Sequence, residues 1–261
     1  MYDIIGNIAI LKSQKSKISD DYQKSKRFLK EADKKLARQI LKERKQVKSV
    51  YVKAEKVSGK LRTIKVRWLA GEKNKQAVYK ENNCRFKLNV EKCYFSSRLA
   101  SERAEIAKMI KKNDKVLVLF GGVAPFAIVI AKKTGARVVS VELGRACSKY
   151  ARENVLLNKL NEKVEIVQGD VRKLKKLVKG KFDVIVMPRP QIKESFLKYI
   201  TGFCRKNTRI YYYDFGRQEE LGKILEKIKN DFKLKYKIVC IKKVGEIAPY
   251  KFRWRVELVV K

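Results

Sequence analysis

The side chains available for proton transfer are restricted, because the 261 residues of this sequence include no histidine. Ser/His and Cys/His catalysis are therefore excluded, and carboxylates, lysine, tyrosine and cysteine remain as possible acids and bases. The five cysteines, at positions 84, 93, 147, 204 and 240, are scattered and have no C-x-x-C spacing. This pattern predicts reduced thiols, with neither a disulfide framework nor a zinc site. We expect no bound metal.

One stretch, "VLFGGVAPFAI" at residues 118–128, has the pattern of a ligand loop. An apolar strand ends at Gly121 and Gly122, which permit a tight turn and the close approach of a ligand, and a helix start offers backbone N–H groups. The next strand, "RVVSVE", ends at Glu142, about twenty residues later, the spacing of an acid that binds ribose hydroxyls. One strand further, Asp170 follows "EIVQG". The pattern predicts an adenosine-cofactor site; a structural turn with surface acids is the alternative.

The loop favours S-adenosylmethionine over a dinucleotide. It lacks the three spaced glycines of a dinucleotide loop, and Pro125 stands at the helix start, where a pyrophosphate needs N–H donors. S-adenosylmethionine carries a sulfonium and an amino acid and needs no pyrophosphate cradle.

The elements that position these residues begin at about residue 115, where continuous apolar strands alternate with helices. This alternation predicts a parallel sheet covered on both faces. The segment "IKESFLKYITGFC" is predicted to be one of the helices. Two consecutive strands, "YKIVCIKKV" and "FRWRVELVV", close the chain and fit an antiparallel edge. We predict an α/β class, with a Rossmann-like, mostly parallel sheet in a domain over residues 106–261.

Residues 1–105 are predicted to form a small α+β domain that binds and positions RNA. A helix begins near Asp20 or Asp21, and four short alternating segments between residues 49 and 90 predict a small antiparallel sheet. A second helix begins near Ser96 or Ser97. The first helix carries one apolar stripe, formed by Phe28, Ala32, Leu36 and Ile40.

The charge of the chain points to a polyanionic partner. There are 65 Lys and Arg against 27 Asp and Glu, a net charge of +38. Such an excess favours nucleic acid; a general lysine bias of the source proteome is the alternative, although glutamate does not rise with lysine here. No run reaches the ~18 apolar residues of a membrane span, and the N-terminus does not resemble a secretion signal. We expect a cytoplasmic protein that binds no membrane.

The order of segments resembles the archaeal and eukaryotic tRNA (guanine-37-N1)-methyltransferases and the wyosine-pathway transferases that share their fold. The resemblance runs from residue 1 to about residue 215, with "YFSSRLASER" and the GGVxPF turn as its most specific parts. It implies a class I methyltransferase domain that uses S-adenosylmethionine on the anticodon stem-loop of tRNA. A phenylalanine tRNA is the expected partner, with no obligatory protein partner. A form without the N-terminal elbow-reading domain is expected, because the family's middle domain matches from Tyr2.

The resemblance also implies roles for individual residues. Tyr94 is expected near the methyl donor, Arg62 at the carbonyl oxygen of the base, and Glu102 as the base that removes the N1 proton of guanosine. From the residues alone, Glu102 could equally form a helix-surface salt bridge with Arg98 or Arg103, and Arg62 could contact a phosphate. The expected cofactor-binding residues are Arg103, Phe120, Gly121, Gly122, Glu142, Leu143, Asp170 and Val171. The expected substrate-binding residues are Arg98, Pro188, Arg189 and Pro190.

Two departures from the family pattern bear on the acceptor atom. Val118 replaces an acid near the cofactor, and Pro188 replaces an Asn whose side chain N1-methylating members use. The second departure slightly favours carbon 7 of 4-demethylwyosine over N1 of guanosine. Transfer of the aminocarboxypropyl group of the same cofactor is an alternative, as is a non-catalytic basic RNA-binding module.

Overall fold

The structure is a computed structural model that describes residues 2–12, 22–54 and 63–261, with the backbone alone for residues 22–30. The chain forms two compact units, residues 1–97 and 98–261. The expected domain boundary at 105/106 falls inside a helix of the second unit, Ala100–Lys108. The functional roles of the two domains stay predictions. Among the described residues, no helix is long and apolar enough to cross a bilayer.

The first unit contains one helix and two sheets among its described residues. The first sheet has the order β1-β2-β3-β4, and β5 and β6 form a separate antiparallel hairpin. The four segments between residues 49 and 90 were predicted to form one small antiparallel sheet; β3–β4 and β5–β6 are antiparallel pairs, but they lie in two separate sheets. The elements are β1 (Tyr2–Ile5), β2 (Ile8–Leu11), α1 (Tyr22–Glu43), β3 (Ser49–Lys53), β4 (Val66–Gly71), β5 (Gln76–Glu81) and β6 (Cys84–Asn89).

Strands β2 and β3 pair in parallel, because α1 carries the chain back to the same end of the sheet. The hairpin β5–β6 turns at Asn82 and Asn83, whose φ angles of 47° and 57° are those of a tight primed turn. Local residue chemistry therefore fixed the hairpin, whereas the helical crossover decided the parallel pair.

Helix α1 packs its apolar face on this sheet. Ile40 and Ala37 are buried against Val50 and Leu69, and Leu36 is half-buried. Ala32 is exposed, so the predicted stripe is correct only in its C-terminal part. The side chain of Phe28 and the expected cap at residues 20 and 21 lie outside the described residues.

The second unit is built on a seven-stranded sheet of order β12-β13-β11-β10-β7-β8-β9. Strands β7 to β11 are mutually parallel, and β13 and β12 add an antiparallel edge, as the sequence predicted. The strands are β7 (Lys115–Leu119), β8 (Arg137–Glu142), β9 (Val164–Gln168), β10 (Val184–Met187), β11 (Arg209–Gly216), β12 (Tyr236–Ala248) and β13 (Lys251–Val260). The helices are α2 (Ala100–Lys108), α3 (Pro125–Thr134), α4 (Arg145–Leu157), α5 (Leu174–Leu177) and α6 (Leu221–Asp231).

The segment between β10 and β11 differs from the prediction. In place of a helix over "IKESFLKYITGFC" it forms two short 3-10 turns, Leu197–Tyr199 and Thr201–Phe203. Phe196 adopts a left-handed backbone, with φ 65°, which interrupts any helix at that point. The apolar spacing was real, since Leu197 and Ile200 are fully buried, but burial does not require a helix.

Candidate active site

The candidate site lies at the C-terminal ends of the parallel strands. Chain order reverses between β7 and β10, with β8 and β9 on one side and β11 on the other. Open α/β sheets bind ligands in the crevice at such a switch point. The segments that leave the sheet here contain the glycine loop, Glu142, Asp170 and the Pro188–Pro190 stretch.

The loop between β7 and α3 has an unusual backbone. Phe120, Gly122 and Ala124 have φ angles of 56°, 57° and 65°, so three of five successive residues are left-handed. Such conformations cost ~1–3 kcal/mol for a non-glycine residue and concentrate at ligand-binding loops. The bend is closed by hydrogen bonds from the Gly121 N–H to the Val141 carbonyl, at 2.9 Å, and from the Ala124 N–H to the Gly121 carbonyl, also at 2.9 Å.

Gly121 is required by close packing. A Cβ at this position would lie 2.2 Å from Ser140 Oγ on the neighbouring strand β8. A side chain here would therefore require either the Ser140 hydroxyl or the loop to move.

A buried amide from α4 fixes the same loop. Asn154 Nδ2 donates to the Val123 carbonyl at 3.1 Å, and Asn154 is fully buried. The sequence reasoning did not single out Asn154; its only signal was a polar residue on the buried face of an amphipathic helix.

Glu142 connects the loop with the end of β8. Its Oε2 accepts from the Gly122 N–H at 2.8 Å, and its Oε1 accepts from the Gly144 N–H at 2.6 Å. Burial raises the pKa of Glu142 above its usual value, although the backbone N–H groups of Gly144, Gly122 and Leu143 partly offset this. These three backbone donors leave part of the acceptor capacity of the carboxylate for a ligand hydroxyl.

Leu143 gives this edge an apolar surface. Its side chain is 41% exposed directly after Glu142, whereas most large apolar residues of this unit are buried. An exposed apolar side chain beside a carboxylate can pack on the flat face of an aromatic ligand ring.

Asp170 lies at the end of β9 and caps the turn that begins at Val171. Its Oδ1 accepts from the Arg172 N–H at 2.9 Å, and its Oδ2 accepts from Arg172 Nη1 at 3.1 Å. Arg172 also binds Glu194 Oε2 at 2.6 Å and lies 5.1 Å from the centre of the Phe196 ring. Asp170 is thereby oriented by an arginine shared with the segment after β10.

Phe120 and Val171 add apolar side chains to the candidate site. Phe120 packs edge-on against Phe196, with ring centres 4.9 Å apart, and Val171 is buried. Val118 is fully buried inside β7, so the family's acid is replaced there by an apolar core contact.

These residues fit S-adenosylmethionine. A carboxylate with remaining acceptor capacity can bind a ribose hydroxyl, and the tight loop at Gly121 lets a ligand approach the backbone. The described residues include no cluster of carboxylates and cysteines that could hold a metal ion. Pro125 at the first position of α3 removes one of the helix N–H groups that a pyrophosphate would use.

Glu102 lies on α2 and is buried, with 5% exposure. Its Oε1 accepts from Arg255 Nη1 at 2.7 Å and from the Tyr213 hydroxyl. This pairing with Arg255 differs from the surface salt bridge with Arg98 or Arg103 that the residues alone had suggested. The sequence reasoning missed Tyr213 and Arg255, because they lie more than a hundred residues away.

The Pro188–Pro190 stretch closes around a buried arginine. Arg189 Nη1 donates to the carbonyls of Pro190, Ile192 and Glu194, at 3.2, 2.7 and 3.0 Å, and Nη2 pairs with Asp214. With 2% exposure, Arg189 braces its own loop, and the geometry does not present its guanidinium to a substrate. Pro188 and Pro190 are half-buried.

The remaining expected site residues are more scattered. Arg103 is buried, with its guanidinium 5.8 Å from the centre of the Phe126 ring, and Arg98 is exposed. Tyr94 lies in the first unit, with a side chain that is 37% exposed. Arg62 lies outside the described residues.

The strand order and the glycine loop beside Glu142 define the protein class, a class I methyltransferase that uses S-adenosylmethionine. The TRM5/TYW2 methyltransferase domain matches residues 77–239. The chain belongs to the TRM5/TYW2 methyltransferase family.

Individual relatives agree with this assignment. Over 99% of its length the chain is 34% identical to "tRNA (guanine(37)-N(1))-methyltransferase Trm5b" of Pyrococcus abyssi and covers 74% of that protein. The crystal structure of that protein matches with a TM-score of 0.83 at 33% identity, over all of this chain and 75% of the other. The chain is also 36% identical, over 87% of its length, to "tRNA (guanine(37)-N(1))/4-demethylwyosine(37)-methyltransferase Taw22" of Nanoarchaeum equitans, of which it covers 71%. A solved complex of aTrm5 and tRNALeu matches with a TM-score of 0.81 at 27% identity, over all of this chain and 72% of that one.

Proposed function

We propose that this protein transfers the methyl group of S-adenosylmethionine to the purine at position 37 of tRNA. The observation that carries the proposal is the glycine loop held by Glu142 at the carboxyl ends of the strands, in the same unit as a buried carboxylate with two hydrogen-bond donors, Glu102. The relatives named for reactions at position 37 support the target, and the net charge of +38 supports a polyanionic substrate.

S-adenosylmethionine supplies a methyl group already activated on a sulfonium. The chain must therefore hold the acceptor in line and accept one proton. Glu142 would bind the ribose hydroxyls, while Leu143, Phe120 and Val171 would cover apolar parts of the cofactor. Arg103 and Asp170 would lie beside it, in the roles that the family resemblance gives them.

Glu102 would be the proton acceptor. With N1 of guanosine as the nucleophile, the N1 proton passes to the carboxylate as the nitrogen–carbon bond forms. With carbon 7 of the tricyclic base, the proton on that carbon is lost after the carbon–carbon bond forms. By the same resemblance, Arg62 would bind the carbonyl oxygen of the base, and Tyr94 would lie near the methyl donor, with Arg98 on the substrate side.

We favour carbon 7 of 4-demethylwyosine as the acceptor, because Pro188 cannot offer the side-chain hydrogen bond of the Asn that it replaces. N1 of guanosine is the second candidate. It is favoured by Glu102, whose expected role in the family is to remove the N1 proton. The name of the Nanoarchaeum relative includes both reactions.

A labelling experiment tests the proposal. The purified protein is given S-adenosylmethionine labelled in its methyl group with three anticodon-loop variants of phenylalanine tRNA: G37, 4-demethylwyosine at 37, and A37. We expect label on the tricyclic substrate, less or none on G37, and none on A37. Label on G37 alone would assign N1, and label on A37 would refute position 37. In a parallel reaction with S-adenosylmethionine labelled in its carboxyl group, transfer of label to the tRNA would indicate aminocarboxypropyl transfer.

Two glutamine variants distinguish the loss of the proton acceptor Glu102 from a change in the residues around it. Glu102→Gln should lower the rate by ~10²–10⁴ with unchanged cofactor affinity, if Glu102 takes the proton. Glu105→Gln is the matched control, since Glu105 also binds Arg255, at 2.8 Å, but does not hold Glu102. Retained tRNA binding with no labelling of any tRNA would identify a non-catalytic binding module.

A further inference from the structure

Strand β11 carries three successive tyrosines, and the third is directly opposite an arginine of β13. Tyr213 and Arg255 are register partners in the antiparallel pair, so their side chains leave the same face of the sheet. Both are buried, and both donate to one atom, Glu102 Oε1 on α2. The described residues provide no hydrogen bond to the other oxygen, Oε2.

We propose that Tyr213 and Arg255 are positioning residues for Glu102. By holding Oε1 they fix the plane of the carboxylate and leave Oε2 to accept the proton of the acceptor base. This inference rests on the proposed function.

The charges around Glu102 suit this role. Arg255 also binds Glu105 Oε1 and Glu257 Oε1, at 2.8 and 2.7 Å, so one guanidinium is shared among three carboxylates. Lys242 adds a second cation at Glu105 Oε2, 2.5 Å away; Arg103 lies on α2 itself, and Arg98 lies in the 3-10 turn Ser97–Leu99 just before it. Arg255 is therefore a fixed hydrogen-bond donor to Glu102, but its positive charge is shared with two other carboxylates.

Both donors keep their protons over the working pH range. Burial, together with the nearby charge of Glu102, raises the pKa of Tyr213 well above its usual value. Burial would lower the pKa of Arg255, but its hydrogen bonds to Glu105 and Glu102 raise it overall. Neither residue is suited to exchange protons, so their role is to hold the carboxylate of Glu102 in position.

Tyr213→Phe tests the proposal with little change in packing, because it keeps the ring beside Phe126 and removes only the hydroxyl. A lost hydrogen bond to a charged group makes a carboxylate easier to protonate. In single-turnover methylation we expect a rate about 10-fold lower and an acidic limb of the pH–rate profile about one pH unit higher. The affinities for S-adenosylmethionine and tRNA should stay within about 2-fold of wild type.

Tyr212→Phe is the matched control on the same strand. Tyr212 also donates a buried hydroxyl to a carboxylate, Asp214 Oδ2 at 2.8 Å, but its side chain does not reach Glu102. A comparable loss of stability is expected, with the pH–rate profile unmoved. The single variant Arg255→Lys retains the positive charge. It should lose less rate than the double variant Tyr213→Phe/Arg255→Lys.

The outcomes distinguish the positioning role of Tyr213 from the proposed tRNA methylation. If Tyr213→Phe lowers only the melting temperature and leaves rate and pH profile as in wild type, the positioning role is refuted while tRNA methylation stands. An equal shift of the acidic limb in Tyr212→Phe would also refute it. If Glu102→Gln keeps the full rate, or the wild type labels no tRNA, the proposed function fails and this inference fails with it.

Discussion

The close approach of Gly121 to Ser140 can be tested with two substitutions. One adds a methyl group at Gly121, and the other removes the hydroxyl oxygen of Ser140. In Gly121→Ala the new Cβ would lie 2.2 Å from Ser140 Oγ, more than about 1 Å inside an ordinary contact. The next nearest atoms, Ser140 Cβ and the Val141 carbonyl oxygen, would be at 3.5 and 3.6 Å, which is ordinary packing. The whole steric conflict therefore comes from one hydroxyl.

Overpacking of this kind costs ~1–3 kcal/mol. For Gly121→Ala we expect a melting temperature lower by roughly 4–8 °C, taking about 2 kcal/mol and the usual scaling for this size. The affinity for S-adenosylmethionine should fall about 10-fold, since a displaced loop loses ~1.4 kcal/mol of binding. Calorimetric titration and differential scanning calorimetry measure the two quantities.

The second mutation supplies the decisive comparison. In Gly121→Ala/Ser140→Ala the clashing oxygen is gone, so stability and affinity should return to within about 1 kcal/mol of Ser140→Ala alone. Gly122→Ala is the control: its cost comes from φ 57°, so Ser140→Ala should not rescue it. A neutral Gly121→Ala, or a double variant no better than the single one, would refute the packing argument.

Three further predictions concern other parts of the site. Burial raises the pKa of Glu142, and hydroxyl groups of the cofactor bind its ionised form. As the pH is lowered, the affinity for S-adenosylmethionine, measured by calorimetry, should therefore begin to fall at a higher pH than it would for a glutamate with the ordinary pKa of about 4.3. Glu142→Gln should bind the cofactor ~10–100-fold more weakly and without this pH dependence. Arg189→Met should lower the free energy of unfolding by ~1–3 kcal/mol in denaturant titration, because Asp214 loses its buried partner and keeps Lys227, 2.9 Å away, as a cation; unchanged stability with weaker tRNA binding would instead make Arg189 a substrate contact. Asn154→Ala should cost ~1–3 kcal/mol and loosen the loop at Val123, seen as faster amide hydrogen exchange there; unchanged exchange would contradict the tether.

Local patterns in the sequence were sufficient for much of the fold. The alternation of strands and helices after residue 115, and the antiparallel closing pair, follow from periodicity and turn residues that act over a few positions. The segment around Phe196 was misjudged because its apolar spacing fits a helix, whereas a left-handed residue and the Ser195 hydroxyl, 2.5 Å from Asp231, hold it in short turns.

The arginines illustrate what a basic sequence conceals. With 65 Lys and Arg in the chain, composition gives no reason to separate Arg189 and Arg255 from the surface cations. Packing separates them, since both are 2% exposed and each is surrounded by oxygen acceptors. Arg255, which holds Glu102, could not be recognised from composition for this reason.

The sequence by itself determined the glycine turn after β7 and the carboxylate at the end of β8, because the two are joined by about twenty residues whose geometry is local. Only the tertiary structure decided the environment of Glu102. Its partners Tyr213 and Arg255 are 111 and 153 residues away and meet it through the sheet edge formed by β11 and β13. Hydrogen bonds across such separations depend on strand order and register, which no short stretch of sequence contains.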